Sequence, residues 1–200
     1  MRPIALISRV IFFFFLLVLF NSCGEDITGT FYFSDEARKY QIDTTITSFK
    51  MIDNHGITDE FVMDKYNWYQ THHYFSQWGT HGDASGETYG IAYNSVLNSY
   101  MFMYVLRADV DYTSLEIEWN QKDHFVYDFS SRKVISGIVP LVSFYDSLLV
   151  RGVWFRNIID IDYSGKVNEI DKDTPVRTYI SGDKGLIKFV RKDSVIIERI

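Results

Sequence analysis

Apolar and polar residues alternate with a period of two through much of this chain. Leu115-Glu116-Ile117-Glu118-Trp119 sets its apolar side chains on one side and both carboxylates on the other, the pattern of a half-buried strand. Phe125, Tyr127 and Phe129 repeat the alternation around Val126 and Asp128, and a turn over Asn120 to Asp123 makes the two runs a hairpin. Tyr100 to Leu106 is apolar throughout, as expected of a strand central in a sheet. Further strand-like runs cover Ile42 to Ile52, Glu60 to Met63, Tyr66 to Trp78, Tyr89 to Tyr93, Ile138 to Tyr145, Leu148 to Val150, Trp154 to Tyr163, Gly185 to Val190 and Val195 to Ile200. Asn54-His55-Gly56 and Lys192-Asp193 are turn signals, and Gly79 to Gly86 reads as a loop. Ser34, followed by Asp35 and Glu36, can open one helical turn towards Tyr40. No window of a dozen residues carries a helical period. The expectation is all-β: an antiparallel β-meander forming a sandwich or an open barrel.

One stretch breaks this pattern. Arg2 and Arg9 precede an unbroken apolar run of 11 residues, Val10 to Phe20, and then come Asn21, Ser22 and Cys23, the sole cysteine. The run is too short to span a bilayer as a helix, which takes about 20 residues. A cationic start, a short apolar core and a small residue before the cut mark a secretory signal. The end of the segment resembles the lipobox of bacterial lipoproteins, with Ser22 as the small residue before the cysteine, while Phe20 and Asn21 depart from the usual aliphatic-then-small order. The resemblance implies a helical signal peptide over 1–22 and a Cys23 that carries a thioether-linked diacylglycerol and, commonly, an acylated (palmitate-type) amino group. It also implies a lipidated tether over 23–29 and a single all-β domain over 30–200. Each buried acyl methylene contributes about 0.8 kcal/mol, and two or more chains anchor a protein stably. Gly24-Glu25-Asp26 is similar to the surface-export signals of lipoproteins from Bacteroidota. The order Leu115 to Asp128, Phe155-Arg156-Asn157-Ile158-Ile159, Tyr179 and Gly185-Leu186-Ile187-Lys188-Phe189 resembles uncharacterised Bacteroidota lipoproteins that end in a β-meander. These likenesses imply a location in the cell envelope, on the outer membrane and facing either the periplasm or the surface.

Composition narrows the partners. The leader holds two of the 20 basic residues and none of the 26 acids, so the remainder carries a net charge of −8. That argues against nucleic acid or anionic lipid bound through a basic face. With Cys23 acylated no thiol is left for a disulfide, and packing must supply the stability. The 14 Tyr, 16 Phe and 4 Trp provide for it.

Candidate chemistry is sparse. Asp160, Asp162, Ser164, Gly165, Val167, Asn168 and Asp171 match positions 1, 3, 5, 6, 8, 9 and 12 of a calcium loop. The run resembles the loop of dockerin modules, which implies calcium held by Asp160, Asp162, Ser164, Asn168 and Asp171. Asp171 is shorter than the usual bidentate Glu, and the following Thr174-Pro175-Val176 stands where a helix is expected, so the alternative is a solvated hairpin loop. The flanks favour the hairpin loop, so no cofactor is expected, and calcium is the one the sequence leaves open. His72, His73, His81 and Asp83 could ligate a metal, but neighbours on a strand face opposite ways. Ser130-x-x-Lys133 and Ser181-x-x-Lys184 have the S-x-x-K spacing without its companion motifs, and no G-x-S-x-G, G-x-G-x-x-G or P-loop occurs. Around Tyr66 to Trp78 the aromatics are dense. Trp68, Tyr69 and Trp78 could stack on sugars or dock a protein, or else pack in a core. The expectation is therefore no enzyme, but a lipid-anchored envelope protein that binds a protein or glycan partner or acts structurally. A carrier holding an apolar ligand in a concave sheet, and a hydrolase without a recognisable motif, are the alternatives.

Overall fold

The structure is a computed structural model that describes residues 29–43, 45–66, 70–75, 81–98, 100–109 and 112–200. The expected signal peptide, Cys23, Trp68, Tyr69 and Trp78 lie outside the described residues. The chain divides into two compact units. The smaller, Met1–Thr30 with Thr71–Ser85, contains a three-stranded sheet in the order β1 (Gly29–Phe31), β5 (His81–Gly86), β4 (Gln70–Phe75). The stretch read as a loop from its glycines is thus largely strand. Backbone pairing with neighbours decides it, and side-chain pattern does not show that.

The larger unit, Phe31–Gln70 with Gly86–Ile200, is all-β, as the alternation predicts. One helical turn, Asp35–Arg38, precedes the strands, with the Ser34 Oγ accepting from the Ala37 N–H at 3.2 Å. The strands are β2 (Ser48–Asp53), β3 (Thr58–Tyr66), β6 (Thr88–Ser95), β7 (Met101–Ala108), β8 (Thr113–Trp119), β9 (Asp123–Asp128), β10 (Lys133–Gly137), β11 (Leu141–Val150), β12 (Val153–Asp162), β13 (Arg177–Ser181), β14 (Gly185–Val190) and β15 (Ile196–Arg199). All pair antiparallel in one twelve-stranded sheet, in the order β10-β9-β8-β7-β6-β3-β2-β15-β14-β13-β12-β11. Two five-stranded meanders flank the β2–β3 hairpin. β15 returns to β2, with Ile197 opposite Asp53 and Arg199 opposite Met51.

The order forces the sheet to curl. Flat, twelve strands put the two edges about 50 Å apart. Yet β10 and β11 are consecutive in the chain, and only residues 138–140 join them, a link that spans at most about 14 Å. The sheet therefore rolls up with β10 and β11 near one another but unpaired, an open barrel. Its inner face is the core. Leu115, Ile117 and Trp119 of β8 are fully buried, while Glu116 and Glu118 stay part-exposed, as the alternation requires. Phe102 lies 4.8 Å from Trp119, and Trp119 lies 5.4 Å from Phe189 of β14, ring centre to ring centre across the interior. The segment after the helical turn fills the inside of the gap: Tyr40 stacks at 5.8 Å on Phe129, beyond β9, and meets Phe144 of β11 at 5.3 Å with its ring tilted by 59°.

Candidate functional site

The loop between β12 and β13 carries the calcium-loop residues, and the fold gives most of them other partners. Asp160 lies on β12 and is 2% exposed. Arg177 of β13 grips it with two bonds, Nε to Oδ1 at 2.9 Å and Nη2 to Oδ2 at 2.6 Å, and the Tyr145 hydroxyl donates to the same carboxylate at 3.2 Å. The bond to Asp160 raises the Arg177 pKa further above its already high value, so the guanidinium stays charged. Asp162 accepts the Ser164 N–H at 2.7 Å and opens the 3-10 turn Ser164–Lys166. The Asp171 carboxylate takes the Asp173 N–H at 3.0 Å and Lys122 Nζ at 3.1 Å, and these contacts hold its pKa below the ordinary carboxylate value. Lys192 Nζ donates to the carbonyls of Val167 and Ile170, each at 2.9 Å. Ser164 and Asn168 are exposed. Carboxylates so close in sequence need positive charge near them, and Arg177 and Lys122 supply it from the protein itself. Among the described residues, no three His, Cys, Asp or Glu side chains are grouped to hold a metal ion.

The other sequence candidates are scattered. Ser130 and Lys133 flank a turn in which Asp128 accepts the N–H groups of Ser130 and Ser131. The Ser181 hydroxyl is bonded to Asp183. Glu116 lies 3.9 Å from Arg107. His72 and His73 are on β4, and His81 and Asp83 on β5.

The concave face is packed with side chains. Burial pushes the Tyr40 phenol up to about 12 and the fully buried Tyr104 phenol well above its usual value, so both fill the interior as neutral groups. Two cavities are small: about 120 Å³ beside Tyr100, Thr174 and Lys192, and about 80 Å³ beside Met51, Phe61 and Phe189. A pocket for a drug-sized ligand takes about 300 Å³ or more.

What the sequence reading missed is on the outer face of the β11–β12 hairpin. Leu141 is 68% exposed, Tyr145 46%, Leu149 50% and Trp154 66%, and Leu149 and Trp154 are cross-strand partners. Beside them Val150, Phe155, Ile158 and Ile187 form a second, smaller buried cluster. The signal was present: Leu141 to Val150 is apolar at both parities, with a single charge, Asp146, in the whole strand. Compared with known proteins, the chain matches no family model, no curated protein and no solved structure.

Proposed function

We propose that this is a lipid-anchored protein of a bacterial cell envelope, held to the outer membrane through Cys23, with a non-catalytic binding or structural role. The observation that carries the reading is the sole cysteine directly behind Ser22 and an 11-residue apolar run. No helix among the described residues is long and apolar enough to cross a membrane. In this reading the acyl chains on Cys23 make the attachment. The exposed apolar residues on β11 and β12 support a binding role, since grouped apolar side chains on an outer face are the usual mark of a docking surface. A filled inner face supports that reading over a carrier of an apolar ligand. The test is metabolic labelling with an alkyne palmitate analogue, followed by intact-mass analysis of the membrane fraction. Labelled mature protein beginning at Cys23 is expected, and Cys23→Ser abolishes both label and membrane retention. Mature protein with an unmodified Cys23 overturns the anchor.

A further inference from the structure

β11 and β12 outrun the strand beside them. The ladder from β12 to β13 stops at Ile158, opposite Ser181, and Val153 to Asn157 continue past it with β11 as a two-stranded arm. Asn157, with φ 51°, breaks the regular strand at the root of the arm. Val150 and Phe155 of the arm pack with Ile158 and with Ile187 of β14, a small cluster apart from the core. Arg151 and Gly152 turn the arm back with φ 49° and 82°, the type I′ turn of a two-residue hairpin. Side chains alternate along it. Val150, Phe155 and Leu148 are covered, while the cross-strand partners Leu149 and Trp154 are exposed, and so is Val153 beside the turn.

Charge sets this patch apart from other exposed apolar residues. From Ser147 to Ile159 the chain has two arginines, Arg151 and Arg156, both exposed, and no acid. Glu198 near the tip is neutralised by Lys188 at 2.8 Å and Arg151 at 3.8 Å. Ile57 and Leu97 are exposed too, but their N–H groups bond to the carboxylates of Asp53 and Asp59, at 2.7 and 3.0 Å. Pressing those two into hydrocarbon buries an anion with each. At the arm only apolar side chains enter, and arginines on long stems keep their charge among the headgroups. Tryptophan and leucine flanked by arginine is the composition of segments that lie at a bilayer interface.

Strand direction sets the arm at the end of the barrel that an anchor on Cys23 holds near lipid. Phe31, the first residue of the larger unit, accepts the Glu87 N–H at 2.9 Å, just before β6. Six antiparallel steps, through β3, β2, β15, β14 and β13, lead from β6 to β12, so both strands start at the same end. Contacts agree. Asp43 donates its N–H to the Asp183 carbonyl at 3.1 Å, and Gly182 donates to the Asn157 carbonyl at 2.9 Å, at the root of the arm. Residues 24–31 span at most about 28 Å, which bounds the distance from Cys23 to Phe31. Ile57, before β3, and Leu97, after β6, are at the opposite end.

We propose that the tip of the β11–β12 hairpin, through Trp154, Leu149 and Val153, is a second membrane contact that dips into the bilayer interface holding the Cys23 acyl chains. The proposal rests on the lipid anchor.

Site-directed fluorescence tests it on the full acylated chain. An acylated Cys23 offers no thiol, so a single introduced cysteine takes all of a nitrobenzoxadiazole probe. Labelled Trp154→Cys is reconstituted in phosphatidylethanolamine–phosphatidylglycerol vesicles that carry nitroxide groups at the top of the acyl chains. Blue-shifted emission and strong nitroxide quenching are expected, as at the depth of about 5–10 Å where interfacial segments lie. Leu149→Cys, on the other strand, should repeat the result and guards against a local defect in either variant. Ile57→Cys is the control at matched exposure, 55% against 56% for Val153, and should be quenched by aqueous iodide and not by the nitroxide lipid. Wild type should take up no probe. Probe on wild-type Cys23 refutes the anchor, and the proposal falls with it. Unlabelled wild type, with residues 154 and 149 no more quenched by the lipid than residue 57, leaves the anchor standing and overturns the proposal.

Discussion

Strand β10 stops after five residues. Lys133 stands at its start, a bulge breaks its register between Val134 and Ser136, and Gly137 ends it at φ 85°, where a Cβ would collide with the His124 carbonyl. Strand β11, at the other free edge of the same sheet, runs ten residues with no proline and no basic residue, its ladder to β12 interrupted where Asp146 faces Asn157, which has φ 51°. A short, bulged strand with a lysine is how proteins keep an edge from pairing. A long, regular, apolar edge is what they avoid unless something pairs with it. The two edges face the same hazard and meet it differently. The contrast also separates what holds each strand in place. β11 is fixed from inside by Phe144, against Tyr40, Tyr127 and Phe129, and from outside by Tyr145 on the Asp160–Arg177 pair. β10 relies on Val134 and Ile138 against the core and on the Asp128 turn.

The contrast can be broken most severely at Phe144. Phe144→Ala removes the inner anchor of β11, and urea unfolding should show a loss of about 3 kcal/mol, the low end for such a truncation because Phe144 is part-buried. Val134→Ala on β10 should cost roughly 1 kcal/mol. Equal losses would erase the difference. Next in size is the outer clamp. Arg177→Met leaves Asp160 buried without its cation and should cost about 2 kcal/mol, less than the ~3–5 of a fully buried pair because the Arg177 side chain is 39% exposed. Asp160→Leu added to Arg177→Met should recover most of that in a double-mutant cycle. A smaller effect is expected at the turn into β10. Burial opposes ionisation of Asp128, but hydrogen bonds from Ser131 and Ser130 outweigh it and hold its pKa below the ordinary value. A depressed carboxylate contributes stability above its unfolded pKa of about 4 and loses it as pH falls through the folded one. Asp128→Asn should therefore cost about 1 kcal/mol at pH 7 and almost nothing near pH 2, measured by urea melts across that range. The smallest expected change is a gain. Arg151 occupies a left-handed position where a type I′ turn favours Asn, and Arg151→Asn should stabilise the β11–β12 hairpin by roughly 0.5 kcal/mol, read as a rise in Tm.

Much of the sheet was legible because one face of it is dry. Leu115 to Trp119 and Phe125 to Phe129 alternate since their odd-numbered side chains enter the core, and Gly185 to Val190 is the strand the pattern drew. Strand β10 was invisible because all its residues but Val134 are exposed, which leaves no apolar face to read. Arg177–Ser181 was missed for a similar reason: Arg177 and Tyr179 turn to the outer face and spend their chemistry on Asp160 and on each other, with the guanidinium 5.2 Å from the ring. The calcium-loop spacing was legible too. What spacing cannot carry is which cations come from elsewhere in the chain: Lys122 stands 49 residues from Asp171, and only the curl of the sheet brings them together. The edge at β11 was on the page as an apolar decapeptide, but an edge is a fact of strand order, and order is settled by long-range pairing.

The pairing of β15 with β2 also sets a timetable. Met51 meets Arg199 across 148 residues of sequence, and this seam is what joins the β3–β10 half of the sheet to the β11–β14 half. Until β15 is available, the two meanders can form as separate hairpin stacks but cannot close around a common core. Contacts this distant in sequence make folding slow, and until the seam forms both meanders hold aromatic faces open to solvent. A chain lacking β15 would keep the other eleven described strands of the sheet with no seam to unite them.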